Sequence, residues 1–345
     1  MIIHYQMSAE EISSSLELVQ ELSKSYATVE VDDLLPDLNV FAHELPRSVR
    51  EFLNSFRLSD GGSGVAILSG YPIEQDKVGP TPSHWDHPTN VSSTRHEDLF
   101  FMLCGALLGD VFAWGTQQGG HLVHDVLPIK GQEHEQMGGS STETLYWHTE
   151  DAFHPYRADH VGLMCLRNPA HIQTTVGAFE PDEIDEENLD ILFQPRFTIH
   201  TDKSHTPEYR AQKSTGRKIS KNELDTAYLN RQTTEKEPPK TAILSGSRRQ
   251  PNLCIDPVYM DDLSTDPQAK RALKALQDAI EHNLEGISLA PGEILFLDNS
   301  RVVHGRSSFS ARYDGTDRWL KRINLTRDLP KSRDARGGMS KRLIF

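Results

Sequence analysis

The first sixty residues place apolar side chains at helical spacing, and the rest of the chain carries short apolar runs closed by turn residues. Ser8 and Glu11 stand as a capping box, and Leu16, Leu18, Val19 and Leu22 follow at roughly helical spacing, which predicts a helix ending before Ser23. Residues 45–56 predict a second helix, and 65–70, after the glycine-rich stretch 60–64, a buried strand stopped by a turn. The run 98–108 is continuous and apolar enough for a buried helix, and Ala272, Leu273, Leu276 and Ile280 mark an amphipathic helix over 268–284. Further strands are expected at 121–127, 144–147, 161–166, 241–244, 294–297 and 319–325. Short and separated by turns, they point to a mainly β protein with flanking helices, a sandwich or barrel in preference to alternating βαβ units. Residues 79–88 read as a proline-rich loop. Residues 203–240 are polar, show no apolar periodicity and read as a lid insertion at the surface.

Composition narrows the partners. At 345 residues the chain can bury a full core, either as two domains or as one barrel or sandwich with added helices. No run nears the ~20 apolar residues of a membrane span, so no membrane partner is expected. A formal charge of −14 argues against nucleic acid, which needs a basic face, and suits a cationic small molecule. Cys104, Cys165 and Cys254 form an odd, sparse set without C-x-x-C, which reads as reduced thiols in a cytoplasmic protein. The opening residues lack the basic and apolar regions of a signal peptide, so the sequons at Asn90 and Asn324 read as chance matches. A homo-oligomer is compatible with all of this.

Sixteen histidines make any single one uninformative, so spacing has to select among them. His148 and Glu150 directly follow a strand candidate, and on a strand residues i and i+2 share a face, so imidazole and carboxylate can meet one ion. A distant His304, in a segment that a strand pair could return to the same place, would complete two histidines and one carboxylate. Such a set leaves open positions suited to non-haem Fe(II). Arg318 and Arg322 are four apart and face the same way on a regular strand. Two guanidinium forks beside a metal could hold two carboxylates, one from a cosubstrate and one from a substrate, whereas an isolated arginine, as Arg312, is ordinarily a solvent-facing charge. His134-Glu135 lacks the second histidine of a helical zinc protease, and no nucleophile elbow, P-loop or dinucleotide fingerprint is present. A metal-dependent hydrolase would use the same His and Glu with zinc but would not need Arg318 at its offset from His304. A non-catalytic binding protein would normally have lost a ligand.

Residues 147–153 (WHTEDAF), 163–168 (LMCLRN) and 303–306 (VHGR), with Arg318 fourteen residues after His304, resemble the clavaminate synthase-like group of Fe(II)/2-oxoglutarate-dependent amino acid hydroxylases. Residues 116–118, 133–136, 149–155 and 313–320 resemble most its enduracididine β-hydroxylase and viomycin-pathway arginine hydroxylase type. The likeness covers roughly residues 60 to 336. It implies one oxygenase domain over 1–345 with N-terminal helices and a distorted double-stranded β-helix, a jelly-roll core. It implies Fe(II) on His148, Glu150 and His304, with 2-oxoglutarate and O2 as cosubstrates, and Arg318 on the C5 carboxylate of 2-oxoglutarate with help from Thr174. Arg322 would take the substrate α-carboxylate, Gln117 and Glu150 its α-amino group, and Asp256 a cationic side chain. A second acidic residue expected two positions after Asp256 is Val258 here, which counts against arginine itself. Retention of Glu150 speaks against the halogenating relatives. The implied activity is hydroxylation of a free cationic L-amino acid, favoured at Cβ of arginine or an arginine-derived guanidino amino acid, in antibiotic biosynthesis. Free lysine or citrulline, hydroxylated at C3 or C4, is the alternative.

Overall fold

The computed structural model describes residues 2–59, 62–86, 93–207, 219, 221–337 and 342–345. The Asn90 sequon, the end of the expected 79–88 loop and residues 208–218 and 220 of the expected lid lie outside them. The helices are α1 (Ala9–Ser25), α2 (Leu38–Ala42), α3 (Arg47–Arg57), α4 (Gln75–Val78), α5 (Arg95–Ala106), α6 (Glu186–Leu192), α7 (Lys221–Lys236) and α8 (Pro267–His282). The strands are β1 (Ile2–Gln6), β2 (Val65–Ser69), β3 (Asp110–Trp114), β4 (His124–Val126), β5 (Leu145–His148), β6 (His160–Arg167), β7 (Thr174–Gly177), β8 (Leu244–Gly246), β9 (Pro251–Leu253), β10 (Glu285–Ile287), β11 (Ile294–Asp298), β12 (Val303–Arg306), β13 (Trp319–Thr326), β14 (Arg336–Gly337) and β15 (Leu343–Ile344).

Two sheets face each other in a jelly-roll arrangement. The larger runs β1-β2-β11-β6-β13-β3-β15-β14, with β4 also paired to β13, and the smaller runs β10-β7-β12-β5. Along β11, Leu295 and Leu297 enter the core between the sheets, together with Val176 and Ile287 of the smaller sheet, while Ile294 and Phe296 pack outward against the N-terminal helices. Because both faces of these strands are covered, they read as continuous apolar runs, not as an apolar and polar alternation. The amphipathic helices α1 and α3 and the apolar α5 cover the outer face of the larger sheet, and α6 and α8 cover the smaller one. Ser8 closes the capping box with Glu11, and α1 extends three residues beyond the expected stop, to Ser25. No helix among the described residues is long and apolar enough to cross a membrane. The three cysteines are unpaired and buried, and burial pushes the Cys165 thiol up to about 12.

Three expectations are corrected. The run 241–244 is largely not a strand: Thr241 makes only an isolated bridge to Phe197, and β8 starts at Leu244. Ile243 and Leu244 are fully buried, and so short an apolar run reads the same whether it is buried coil or strand. The segment 203–240 is not devoid of periodicity, because α7 lies within it and buries Leu224, Ala227 and Tyr228 at i, i+3, i+4. The surrounding polar residues hide that stripe. The opening residues, where no element was expected, form β1, which pairs in parallel with β2.

At Gly305, β12 passes close to the backbone of β5. A Cβ there would lie 2.5 Å from the Leu145 carbonyl oxygen and 2.9 Å from Thr175 Oγ1. The carbonyl cannot rotate aside, so Gly305→Ala must separate the strands. The expected cost is about 1–3 kcal/mol of stability, read from the urea midpoint.

Candidate functional site

The antiparallel register of β12 against β5 sets His304 directly opposite His148, and their ring centroids are 4.7 Å apart. His148 Nδ1 lies 2.9 Å from the Tyr146 carbonyl oxygen, which can only accept, so Nδ1 carries a proton, and in the neutral ring Nε2 is the nitrogen that offers a lone pair. Glu150 reaches the pair by a route other than the expected one. Strand β5 stops at His148, and Glu150 lies in the turn that follows, so alternation along a strand does not place it. Thr149 leaves the sheet to bond Ile255, its N–H donating to the Ile255 carbonyl at 2.8 Å. Asn299 then brackets the next residue, accepting from Glu150 N–H at 2.7 Å and donating to the Glu150 carbonyl at 3.0 Å. Held this way, Glu150 Oε2 lies 3.2 Å from His304 Nε2 and 4.0 Å from His148 Nε2. The candidate ligand atoms all fall within 4.8 Å of one another, the one such group of three among the described residues.

Burial opposes charge on Glu150, but Arg322 and the two imidazoles outweigh it and hold the carboxyl well below the ordinary carboxylate range. Arg322 Nη1 donates to Glu150 Oε1, while Nη2 donates to Gln117 Oε1 at 2.6 Å and to His124 Nδ1 at 2.8 Å. His124 can accept because burial, reinforced by Arg322, keeps its ring neutral. Arg318 differs. Its guanidinium is buried and donates to Thr174 Oγ1 at 2.9 Å, its Nε has no partner, and no carboxylate forms an ion pair with it among the described residues. Burial lowers it to about 10. A buried cation facing a cavity without a counter-anion can receive a carboxylate there.

That cavity has a volume of about 810 Å³, and all eight residues singled out from sequence line it: Gln117, His148, Glu150, Thr174, Asp256, His304, Arg318 and Arg322. Leu320 lines it too, while Lys321 turns away to pair with Asp125 at 2.8 Å, as strand alternation requires. Arg312 stays exposed. Asp256 is buried; burial, with a contribution from Asp202, raises its carboxyl to about 6. Sequence reasoning missed Asp202 and Asn299. Asp202 lines the same cavity, its carboxyl also raised by burial, and no lysine or arginine among the described residues pairs with it or with Asp256. It stands on the cavity wall as a second carboxyl besides Asp256, while position 258, where an acid was expected, is Val258. Its only signal was its position at the start of a polar stretch. Asn299 stands within 297–301, between two expected strands, and nothing local marks it.

Residues 201–324 match the model of the taurine catabolism dioxygenase TauD, TfdA family. The chain is 42% identical over 334 residues to the enduracididine beta-hydroxylase of Streptomyces hygroscopicus, covering 95% of each. It is 42% identical over 331 residues to the L-ornithine/L-arginine 3-hydroxylase of Catenulispora acidiphila, again covering 95% of each. Among solved structures it is similar to the non-haem iron oxygenase OrfP. The complex with Fe, succinate and (3S)-hydroxy-L-Arg superposes with a TM-score of 0.93 at 40% identity, covering 99% of each chain. The complex with Fe and alpha-ketoglutaric acid gives a TM-score of 0.86 at 39% identity, covering 99% of this chain and 100% of that one.

Proposed function

Because the chain belongs to the TauD/TfdA family of Fe(II)/2-oxoglutarate-dependent oxygenases, we propose that it hydroxylates C3 of a free L-amino acid with a cationic side chain, arginine or a close guanidino or ornithine-like relative. The observation that carries the substrate class is the pair of carboxyls on the cavity wall, buried Asp256 and half-buried Asp202, with which no lysine or arginine among the described residues pairs. A buried anion of this kind is costly unless a ligand brings the opposite charge. The two related hydroxylases support the same reading, since one is named for enduracididine and the other for ornithine and arginine.

In this reading the whole chain is one oxygenase domain, and His148, Glu150 and His304 hold the iron. When bound, iron and 2-oxoglutarate supply the oxidation: the cosubstrate loses CO2 and becomes succinate, while one oxygen atom of O2 enters the amino acid as hydroxyl. The protein's part is to bind and orient. Arg318, kept in place by Thr174, takes the distal carboxylate of 2-oxoglutarate. Arg322, held by Gln117 and His124, takes the substrate α-carboxylate, and Glu150 and Gln117 accept from its α-amino group. Anchoring the groups on Cα beside Glu150 keeps the neighbouring carbon near the iron, which favours C3 over carbons farther along the chain.

The test is incubation of anaerobically iron-loaded protein with 2-oxoglutarate and single amino acids, followed by admission of O2. Arginine or a cationic relative should give one succinate per product heavier by one oxygen atom. If no amino acid raises succinate above background, the reading fails. A narrower expectation separates the two arginines. Lysine cannot reproduce a planar bidentate fork, so Arg318→Lys should raise the 2-oxoglutarate KM about tenfold or more and leave the amino acid KM within about twofold. A shift in the amino acid KM instead would exchange the roles of Arg318 and Arg322.

A further inference from the structure

A buried chain of hydrogen bonds runs behind the cavity wall. Trp114 Nε1 donates to Asp151 Oδ2 at 2.5 Å, and Asp151 Oδ1 lies 2.9 Å from His205 Nε2. The other ring nitrogen of His205 is 2.9 Å from Thr116 Oγ1. The side chains of His205 and Asp151 are 0% and 2% exposed. None of these four residues lines the cavity, so none is placed to touch substrate.

Their sequence neighbours are what matter. Asp151 follows Glu150 and holds φ at +52°, a left-handed backbone that aspartate tolerates better than most residues but that still has to be maintained by its surroundings. Its carboxylate is pinned by Trp114 on one oxygen and His205 on the other, so the side chain fixes the turn from which Glu150 projects. His205 follows Asp202 and Ser204, which both line the cavity. Thr116 precedes Gln117, whose Nε2 donates to Ser204 Oγ at 2.9 Å and whose Oε1 accepts from Arg322. Two connections therefore tie the 202–205 segment to the rest of the site, one through His205 to the Glu150 turn and one through Gln117 to Arg322. A buried histidine and carboxylate contribute little net stability, because desolvation offsets their attraction. What the pair does supply is a fixed distance between two walls.

We infer that His205 is a positioning residue for the hydroxylation: through Asp151 it sets the 202–204 wall, with its carboxylate for the substrate cation, in register with the turn that carries Glu150. This rests on the reading of the site given above. The amino acid is gripped at both ends, and the carbon presented to the iron depends on the distance between the grips. A shift of about 1 Å is enough to misplace it. Loss of the connection should therefore uncouple the enzyme, consuming 2-oxoglutarate without hydroxylating the amino acid, and leave the binding of 2-oxoglutarate itself alone, because Arg318 and Thr174 belong to β13's entry and β7.

His205→Ala, His205→Gln, Asp151→Asn and the double variant H205A/D151N, all in the full-length chain, test this. In H205A the arginine KM should rise about tenfold or more, succinate should exceed hydroxylated product severalfold, and the 2-oxoglutarate KM should stay within about twofold. H205Q, which keeps a donor toward Asp151, should fall between H205A and the unmodified protein in both KM and coupling, and the double variant should be no worse than the worse single one. Hydrogen exchange on the metal-free proteins gives a readout without chemistry: peptides spanning 149–156 and 197–207 should both exchange faster in H205A, with β11 and β13 unchanged. Unaltered coupling and arginine KM in H205A would overturn the inference, as would equal losses toward arginine and 2-oxoglutarate with faster exchange throughout. Should H205A fail to fold, unmodified coupling in H205Q overturns it. If the unmodified enzyme hydroxylates no amino acid, the reading of the site falls, while the exchange experiment still decides whether the two walls are connected.

Discussion

His304→Ala abolishes succinate and hydroxylated product together, with turnover reduced at least 100-fold and the loss mirrored by weakened Fe(II) or Mn(II) binding in an anaerobic titration. The size follows from the geometry. Even partners one step removed from a metal typically cost about 10–100-fold when lost, and His304 lies 3.2 Å from Glu150 and directly across the strand pair from His148, so it is a member of the cluster itself. Circular dichroism and the thermal midpoint should change little, because β12 is held by backbone bonds to both β5 and β7. A variant that binds metal and turns over as before would remove His304 from the metal site.

Asp256→Asn weakens a cationic amino acid by tens-fold or more and leaves a neutral one nearly unaffected. Truncating one partner of a buried charge pair costs about 2–5 kcal/mol, much of it the penalty of leaving the other charge unpaired. Asp202→Asn should behave alike, and because burial has raised both carboxyls next to each other, the two substitutions should combine non-additively. The measurement is the KM or anaerobic dissociation constant for arginine, ornithine and asparagine in each variant. Equal affinity for arginine before and after Asp256→Asn, or asparagine as the best substrate, would end the assignment of a cationic side chain.

Much of the architecture was legible because it is set by short-range periodicity. The capping box at Ser8, the amphipathic stripe of α8 and the apolar runs of β6, β11 and β13 each lie within one element and need no knowledge of the rest of the chain. Helix α7 was missed because only Leu224, Ala227 and Tyr228 mark its buried side within a polar stretch. At the site, the residue types were legible and their approach was not. His148 and Glu150 drew attention as a strand-spaced pair, yet Glu150 is delivered by a turn that Asn299 grips from 149 positions away.

The sequence by itself singled out side chains that could do the chemistry: two histidines and a carboxylate for a metal and two arginines for carboxylates, with a likeness to one family of hydroxylases that implied their roles and added an aspartate for a cation. Only the tertiary structure decided that Arg318 is a buried cation with no anion partner among the described residues, that Arg322 is shared among Glu150, Gln117 and His124, and that Asp202 joins Asp256 on the cavity wall. The reason is physical. Local pattern reflects the period of a helix or strand, whereas the charge state and partners of a buried group depend on which distant segments pack around it and exclude water.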